Sequence, residues 1–529
     1  MIIKPLVTAA LSLGIQLLVV RAGTASLPDS GTSLLPQPAK VKALPGEFRL
    51  DSHTAIVAPA ALKNDARLLA DALRQATGCP LPERELAGKN AIRLNLDPAM
   101  VSLAPEAYHI KIGSGGVEIA APAAAGIFYG GRTLLQLLPA AASKDSVTIA
   151  GVMIEDQPRF AWRGLMLDCS RTFQSVDYLK ATIDRMAFYK MNVLHLHLTD
   201  DQGWRIEIKK YPELTRKGAT FAPEYNEPAS RQGFYTQAQM REIVAHATAR
   251  HITIVPEIEM PGHSHEVIVC RPDLSCAGNT TGGIFPFYKG PTTTGDIFCA
   301  GNDASFQFLQ DVLDEVIGIF PSKFIHIGGD EVPKAAWKAC PKCQARMKEE
   351  GLKDEHELQA YFIRRIEKHL AAKGRKLIGW DEILEGGLAP DATVMSWRGT
   401  QGGIAAAKAG HDVIMSPTSH CYFDYNYGAI NSERAFSFDP VAGMTPVAAR
   451  HVLGLQANFW SHIDREPALV DRQLFPRLLA IAERGWSPDN RGDWPGYARR
   501  ARAQLPRLEK LGIHYQKTDL PPPSAAPSN

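Results

Sequence analysis

Asn192-Val193-Leu194-His195-Leu196-His197-Leu198-Thr199-Asp200 is a short apolar run that ends on a carboxylate, and it follows a segment of helical spacing, Asp177–Lys190. A run of this length bounded by polar residues reads as a buried strand, and the longer periodic segment before it as a helix. The alternation recurs along the chain from Arg159. Further runs stand at Gly164–Asp168, Ile252–Met260, Phe324–Glu331, Lys376–Glu382, Thr393–Gly399, Asp412–Thr418 and Val452–Trp460, with helical spacing over Thr236–Arg250, Ser305–Phe320 and Glu357–Lys373. Eight such units predict an α/β fold, a (β/α)8 TIM barrel with enlarged loops over residues 153–515. A doubly wound open sheet would suit the same alternation, but no Gly-rich phosphate loop follows any of the runs.

Before the barrel the texture differs. Ala91–Leu96, Tyr108–Ile112 and Gly116–Ile119 alternate with period two, as half-buried strands do, while Ala61–Thr77 and Ala124–Leu138 carry helical spacing. Residues 41–152 are therefore expected to form a small α+β domain preceding the barrel, and nothing in it looks catalytic. Residues 26–40, rich in Pro and Ser, read as a linker. After Pro488 a basic helical stretch spans Gly496–Leu511, and residues 516–529, with Pro521-Pro522-Pro523-Ser524, read as a proline-rich tail. At the start, Lys4 precedes the apolar stretch Pro5–Val20 and then Ala22-Gly23-Thr24-Ala25, the layout of a signal peptide over residues 1–25. A membrane anchor is the other reading, but the stretch is shorter than the roughly 20 residues a span needs. The expectation is an exported protein, periplasmic or extracellular, without stable membrane insertion once the signal is removed.

The 529 residues hold 58 Lys and Arg against 56 Asp and Glu, and loss of Lys4 and Arg21 with the signal would leave 56 against 56. Such a balance lacks the basic footprint of a nucleic-acid binder and suits an uncharged ligand. At 45% hydrophobic and 22% charged residues the composition is that of a soluble globular protein with a large core. Of the eight cysteines, Cys270, Cys276 and Cys299 share one long loop, and in an exported chain some are expected to pair. Cys340-Pro341-Lys342-Cys343 has metal-knuckle spacing, yet no second Cys-x-x-Cys or His pair accompanies it. A local disulfide or free thiols are expected there rather than zinc, and neither a metal nor a cofactor is expected elsewhere.

In such a barrel the C-terminal ends of the strands face the active site. Reading off those ends gives Asp168, Asp200, Glu257, Glu259, Asp330 and Glu331, together with Trp380, Trp397, Tyr422, Asp424 and Trp460. Carboxylates do acid–base work and aromatic rings stack on the C–H faces of sugars, so the combination points to a carbohydrate. The sharpest element is His326-Ile327-Gly328-Gly329-Asp330-Glu331. Two glycines let the backbone approach a ligand, and neighbouring carboxylates on an extended strand end point apart, so Asp330 and Glu331 are expected to do different jobs. A solvated Asp-Glu at a loop start is the plainer reading of the pair. His195 and His197 share one face of a strand, but as a metal pair they lack a third ligand; Arg163 reads as an anchor of the first strand.

Asp168-Cys169-Ser170-Arg171, His195 through Arg205, Pro256 through His263 and His326 through Glu331 together resemble glycoside hydrolase family 20, the β-N-acetylhexosaminidases, in the family's order. The likeness runs from Val41 to about Leu511. It implies an exo-acting retaining hydrolase that releases terminal non-reducing β-linked N-acetylhexosamine, GlcNAc and/or GalNAc. The substrate's own 2-acetamido oxygen would attack C1 and form an oxazolinium-type intermediate, an exception among retaining glycosidases. The resemblance implies Glu331 as general acid and then base, with a pKa raised towards working pH, and Asp330 as the partner of the acetamido N–H. It implies Tyr422 as donor to the acetamido oxygen, and Trp380, Trp397 and Trp460 as pocket walls. Arg171 fits a sugar-binding arginine and Asp424 a contact to hydroxyls across the ring. Asp200 and His263, with His326, fit a supporting set that steers Glu331.

One position departs from the family. Where its members close the last strand with Trp-Ser/Thr-Glu, this chain has Trp460-Ser461-His462, and a neutral imidazole offers one donor and one acceptor in place of a carboxylate. Catalysis is expected to survive. The preference between gluco and galacto epimers, or for a substituted sugar, stays open, as does a His462 that points away and leaves the contact to another loop residue. The long loop from Glu266 to Asn302 is expected to shape subsites or a lid. Two other readings stand beside the hydrolase. One is an inactive sugar-binding relative, against which Glu331, Asp330 and Tyr422 are retained. The other is an enzyme that releases a larger or substituted terminal unit.

Overall fold

The computed structural model describes residues 33–522 apart from 86–87, 89, 140–145, 279–281, 292–293, 464–465 and 490–491. The expected signal peptide, residues 26–32 of the linker over 26–40 and the end of the proline-rich tail lie outside the described residues.

The eight apolar runs form eight parallel strands that close on themselves. They are β1 (Trp162–Asp168), β2 (Val193–His197), β3 (Thr253–Glu257), β4 (Phe324–His326), β5 (Lys376–Trp380), β6 (Thr393–Ser396), β7 (Val413–Met415) and β8 (Val452–Phe459). Each pairs with the next, and β8 returns to β1 from Gly454↔Trp162 to Phe459↔Leu167. Strands covered on both faces carry no polar alternation, which is why they appear in the sequence as continuous apolar runs. Trp162, Val193, Val255, Ile378, Trp380, Met395 and Ile414 form a compact apolar cluster of their own. Between the strands run the helices Val176–Phe188, Gln237–Thr248, Asp303–Ile317 and Glu355–Ala372. Their starts are written in the sequence: Ser175, Thr236, Asn302 and Asp354 each accept a backbone N–H of the first turn, a cap worth about 1 kcal/mol.

The preceding domain is a seven-stranded mixed sheet with the helices Lys63–Thr77 and Ala124–Leu137. Its two longest strands, Lys40–Asp51 and Ser146–Asp156, pair antiparallel. The second of these runs past residue 152, so the sheet continues beyond the expected boundary to Asp156. Asp156 is also the joint to the barrel: its carboxylate takes Lys190 Nζ at 3.0 Å and Trp486 Nε1 at 2.8 Å, all buried. Arg163 anchors β1 as expected, donating to the carbonyls of Lys190 and Phe160 (both 2.7 Å) and pairing with Glu106. The described end of the expected linker is packed rather than free, with Leu34 and Leu35 buried and the Leu35 N–H on Gln136 Oε1 at 2.9 Å. The start of the tail is held too, where Asp519 accepts the Ser432 N–H at 3.1 Å.

Candidate active site

The run Phe324–Glu331 leaves the hydrogen-bonded ladder after His326 because its backbone turns left-handed, with φ of 67° at Gly328, 89° at Gly329 and 46° at Glu331. Gly328 is required on a second count: a Cβ there would stand 1.7 Å from Glu259 Oε2. Neighbours still hold the segment, through Trp380 N–H to Gly328 O (2.9 Å) and Gln359 Nε2 to Gly329 O (2.7 Å). Adjacent side chains on an extended strand would point apart, but this backbone is not extended. Asp330 and Glu331 instead converge on one imidazole, with His263 Nε2 at 3.7 Å from Asp330 Oδ2 and 3.5 Å from Glu331 Oε2. His263 itself has φ 45°. A left-handed backbone at a non-glycine residue costs about 1–2 kcal/mol, so two touching groups are both held in strained positions.

Behind His263 stands a chain of charges. Its Nδ1 faces Asp200 Oδ1 at 3.3 Å and Asp201 Oδ2 at 3.5 Å, and Asp200 Oδ2 takes Arg171 Nη2 at 2.8 Å and His197 Nε2 at 2.7 Å. Burial works against charge on His263, but Asp200 outweighs it and holds the imidazolium well above its usual range. Asp168 accepts the backbone N–H groups of Ser170 (2.9 Å), Arg171 (3.0 Å) and Ser461 (3.0 Å), which ties the end of β1 to the residue before His462.

Lower in the barrel, Glu257 is enclosed. His326 Nδ1 lies 2.8 Å and Trp380 Nε1 2.8 Å from its Oε1, while His195 Nε2 (3.1 Å) and His197 Nδ1 approach Oε2. His326 thus supports the floor, not Glu331 directly, and Trp380 is fixed by the same carboxylate. His197 lies between Glu257 and Asp200, whose charges outweigh its burial and hold its pKa near 10, while burial pushes His195 down to about 4. The Glu257 anion is balanced by the His197 cation.

Above it the aromatic residues expected at the strand ends form one wall. Ring centroids lie 5.9 Å apart for Trp380–Trp460, 6.3 Å for Tyr422–Trp460 and 6.0 Å for Trp397–Tyr422, the last pair stacked. Burial, with the charges of Asp330 and Asp424, raises the Tyr422 hydroxyl far above its usual range, so it stays a donor. Burial lifts Asp330 to about 6 and Asp424 to about 7. Asp330 Oδ1, Asp424 Oδ1 and Arg171 Nε are buried without a hydrogen-bond partner among the described residues. His462 belongs to this rim: its ring lies 4.7 Å from that of Phe287, which also covers the Arg171 guanidinium at 5.5 Å.

Glu331 departs from expectation in its charge. Its hydrogen bond to His263 holds the carboxyl below the usual range despite partial burial. Besides Asp330, a raised acid next to it is Glu382, lifted to about 8 by burial and by Asp330, and taking the Trp397 Nε1–H at 2.9 Å. Glu331, Glu382 and Trp397 line a cleft of about 380 Å³ together with Lys334, Gln359 and Arg398. Sequence reading assigned no part to Glu382, Asp201 or Phe287. Asp201 and Glu382 stand in runs whose neighbours were noticed; Phe287 carries no signal, since the long loop alone brings it to the rim.

Comparison with known proteins agrees with this architecture. Residues 160–489 match the catalytic domain of glycosyl hydrolase family 20, and residues 31–157 match domain 2 of that family. A β-hexosaminidase of Porphyromonas gingivalis is 45% identical over 512 residues, 92% of this chain; the chain spans 64% of that relative's length. An exo-β-N-acetylglucosaminidase of Vibrio harveyi, solved in complex with N-acetylglucosamine, superposes with a TM-score of 0.83 at 32% identity, over 93% of this chain and 79% of that one. A β-N-acetylhexosaminidase of Streptomyces coelicolor gives 0.81 at 34%, over 93% and 99%. The chain belongs to glycosyl hydrolase family 20 and carries the catalytic domain of that glycosidase family on a (β/α)8 barrel.

Proposed function

We propose that this protein is an exported, exo-acting retaining hydrolase that removes terminal non-reducing β-linked N-acetylhexosamine with the help of the substrate's acetamido group. The observation that carries the reading is the meeting of Asp330 and Glu331 on His263, with one Asp330 oxygen left unpartnered in the aromatic pocket. The acetamido oxygen attacks C1 while Tyr422 donates to it. Asp330 accepts the acetamido N–H and offsets the positive charge that grows there, an effect realised mainly in the transition state. Glu331 protonates the leaving oxygen as its bond to C1 breaks, and then takes a proton from the water that bonds to C1 and displaces the acetamido oxygen. Because His263 is charged and hydrogen-bonded to Glu331, the proton to be donated belongs to the pair, and it moves to the carboxyl when the sugar excludes water and disfavours the ion pair. Arg171 and Asp424 take sugar hydroxyls, Trp380, Trp397 and Trp460 wall the ring, and the cleft beside Glu331 receives the leaving group.

The test is hydrolysis of aryl N-acetyl-β-glucosaminide, aryl N-acetyl-β-galactosaminide and an aryl β-glucoside that lacks the acetamido group. The first two should be cleaved and the third should not, with Glu331→Gln and Asp330→Asn each slowing the reaction about 10²–10⁴-fold. Equal rates with and without the acetamido group would overturn the mechanism. Binding of N-acetylglucosamine without any turnover would favour the inactive relative.

A further inference from the structure

Four cysteines from distant parts of the chain meet under the rim. Cys276 and Cys299 stand at the two ends of the segment that carries Phe287, and Cys340 and Cys343 open the helix Pro341–Glu349, which follows the Asp330–Glu331 pair. Their sulfurs all lie within 4.8 Å of one another, with separations of 3.6 Å for Cys276–Cys343, 3.7 Å for Cys299–Cys340 and 3.6 Å for Cys299–Cys343. These are far longer than the bond of about 2.05 Å in a disulfide. They match the edge of a tetrahedron of sulfurs around zinc, about 3.8 Å for Zn–S bonds of about 2.3 Å.

The geometry points to a structural zinc site formed by Cys276, Cys299, Cys340 and Cys343. The backbone is shaped for it. Gly301 lets the turn after Cys299 pass over the turn at Cys340–Cys343: a Cβ there would stand 2.2 Å from Lys342 C and 2.5 Å from Cys343 N. Cys299, Cys340 and Cys343 are buried and Cys276 is half-buried, and four sulfurs fill a tetrahedral shell. Four soft thiolates in tetrahedral array select zinc, or iron of similar geometry, over the hard cations. Cys270, nearby in sequence, is not part of it; its sulfur faces the Glu213 carbonyl at 3.4 Å.

The ion would pin both ends of the loop that reaches the rim. Between Cys276 and Cys299 that loop places Phe287 on Arg171 and His462, Thr294 on Asp201 (3.1 Å) and Asp296 on His265 (2.9 Å). Through Cys340 and Cys343 it is joined to the segment that follows Glu331. The metal therefore ties the loop after β3 to the loop after β4, and those two loops carry the touching pair His263 and Glu331.

The full chain, purified without a metal-binding tag or added metal, should contain about one zinc per chain by elemental analysis, and a mercurial should release it as thiols are consumed. Alkylation and peptide mapping without reductant should find all four cysteines as thiols. Cys276→Ser, at the half-buried ligand, should bind zinc at least about tenfold more weakly and melt at lower temperature, while Cys270→Ser keeps the parental zinc content. Disulfides among the four cysteines, a metal-free chain, iron in place of zinc, or unchanged zinc binding in Cys276→Ser would each overturn the assignment. None of these readouts depends on catalysis, so the site stands or falls apart from the proposed reaction.

Discussion

Glu257 is the last residue of β3 and Asp330 lies beyond the end of neighbouring β4; both are buried acids, and they are solvated in opposite ways. Glu257 is surrounded by three imidazoles and an indole, and although burial alone would raise its pKa, these neighbours hold it well below the carboxylate range. Asp330 has one oxygen near His263 and the other without a partner, and burial lifts it to about 6. The floor is complete as folded. The rim holds polar groups whose desolvation is not offset within the protein, and a ligand with an N–H to donate offsets it. One layer of the barrel thus secures the fold, and the layer above it gives up stability for binding.

The largest effect should come from breaking the floor. Glu257→Gln leaves His197 charged and buried with half its partners, and loss of one member of such a network costs about 3–5 kcal/mol. Urea unfolding at pH 7 should show that loss; a change under about 1 kcal/mol would mean that the floor is not the anchor described here. Asp330→Asn should act in the other direction. The folded pKa of about 6 lies above the unfolded value of 3.8, so the parent's extra stability is present below 3.8 and is lost as pH rises through 6. Relative to the parent, the variant should gain at most about 3 kcal/mol at pH 8 and little or nothing at pH 3.5, even as its activity falls. Thermal melts at the two pH values check the sign, and a variant less stable at pH 8 would erase the contrast between floor and rim.

What was legible in the sequence follows from the same physics. Parallel strands buried on both faces leave continuous apolar runs, so all eight barrel strands could be read. The residues of the rim were visible because they stand at the ends of those runs. The direction of Asp330 and Glu331 was not, since it depends on a left-handed turn that two glycines permit but do not dictate. Glu257 showed as a strand-end acid, but its partners come from three strands and only closure of the barrel assembles them. The cysteine cluster was missed for the same reason: Cys340 and Cys343 look alone until the loop returns Cys276 and Cys299.

The smallest predicted effect concerns the residue that departs from the family's pattern. His462 does not point away from the rim; it packs on Phe287 and feels the charge of Arg171. Burial first and that charge second push its pKa down to about 4, so at neutral pH it presents one donor and one acceptor without charge. A carboxylate at this position would be charged and acceptor-only, and would draw on Arg171. His462→Glu should therefore leave turnover of the preferred sugar within a few-fold of the parent and shift the glucosaminide-to-galactosaminide ratio of kcat/KM by about tenfold, some 1.4 kcal/mol. Phe287→Ala separates the two causes. If contact of the imidazole with the sugar sets the ratio, Phe287→Ala should raise KM for both epimers and move the ratio far less than His462→Glu does. If the two variants move it equally, the imidazole acts only as the platform for Phe287, and epimer choice is set by where the zinc-pinned loop comes to rest.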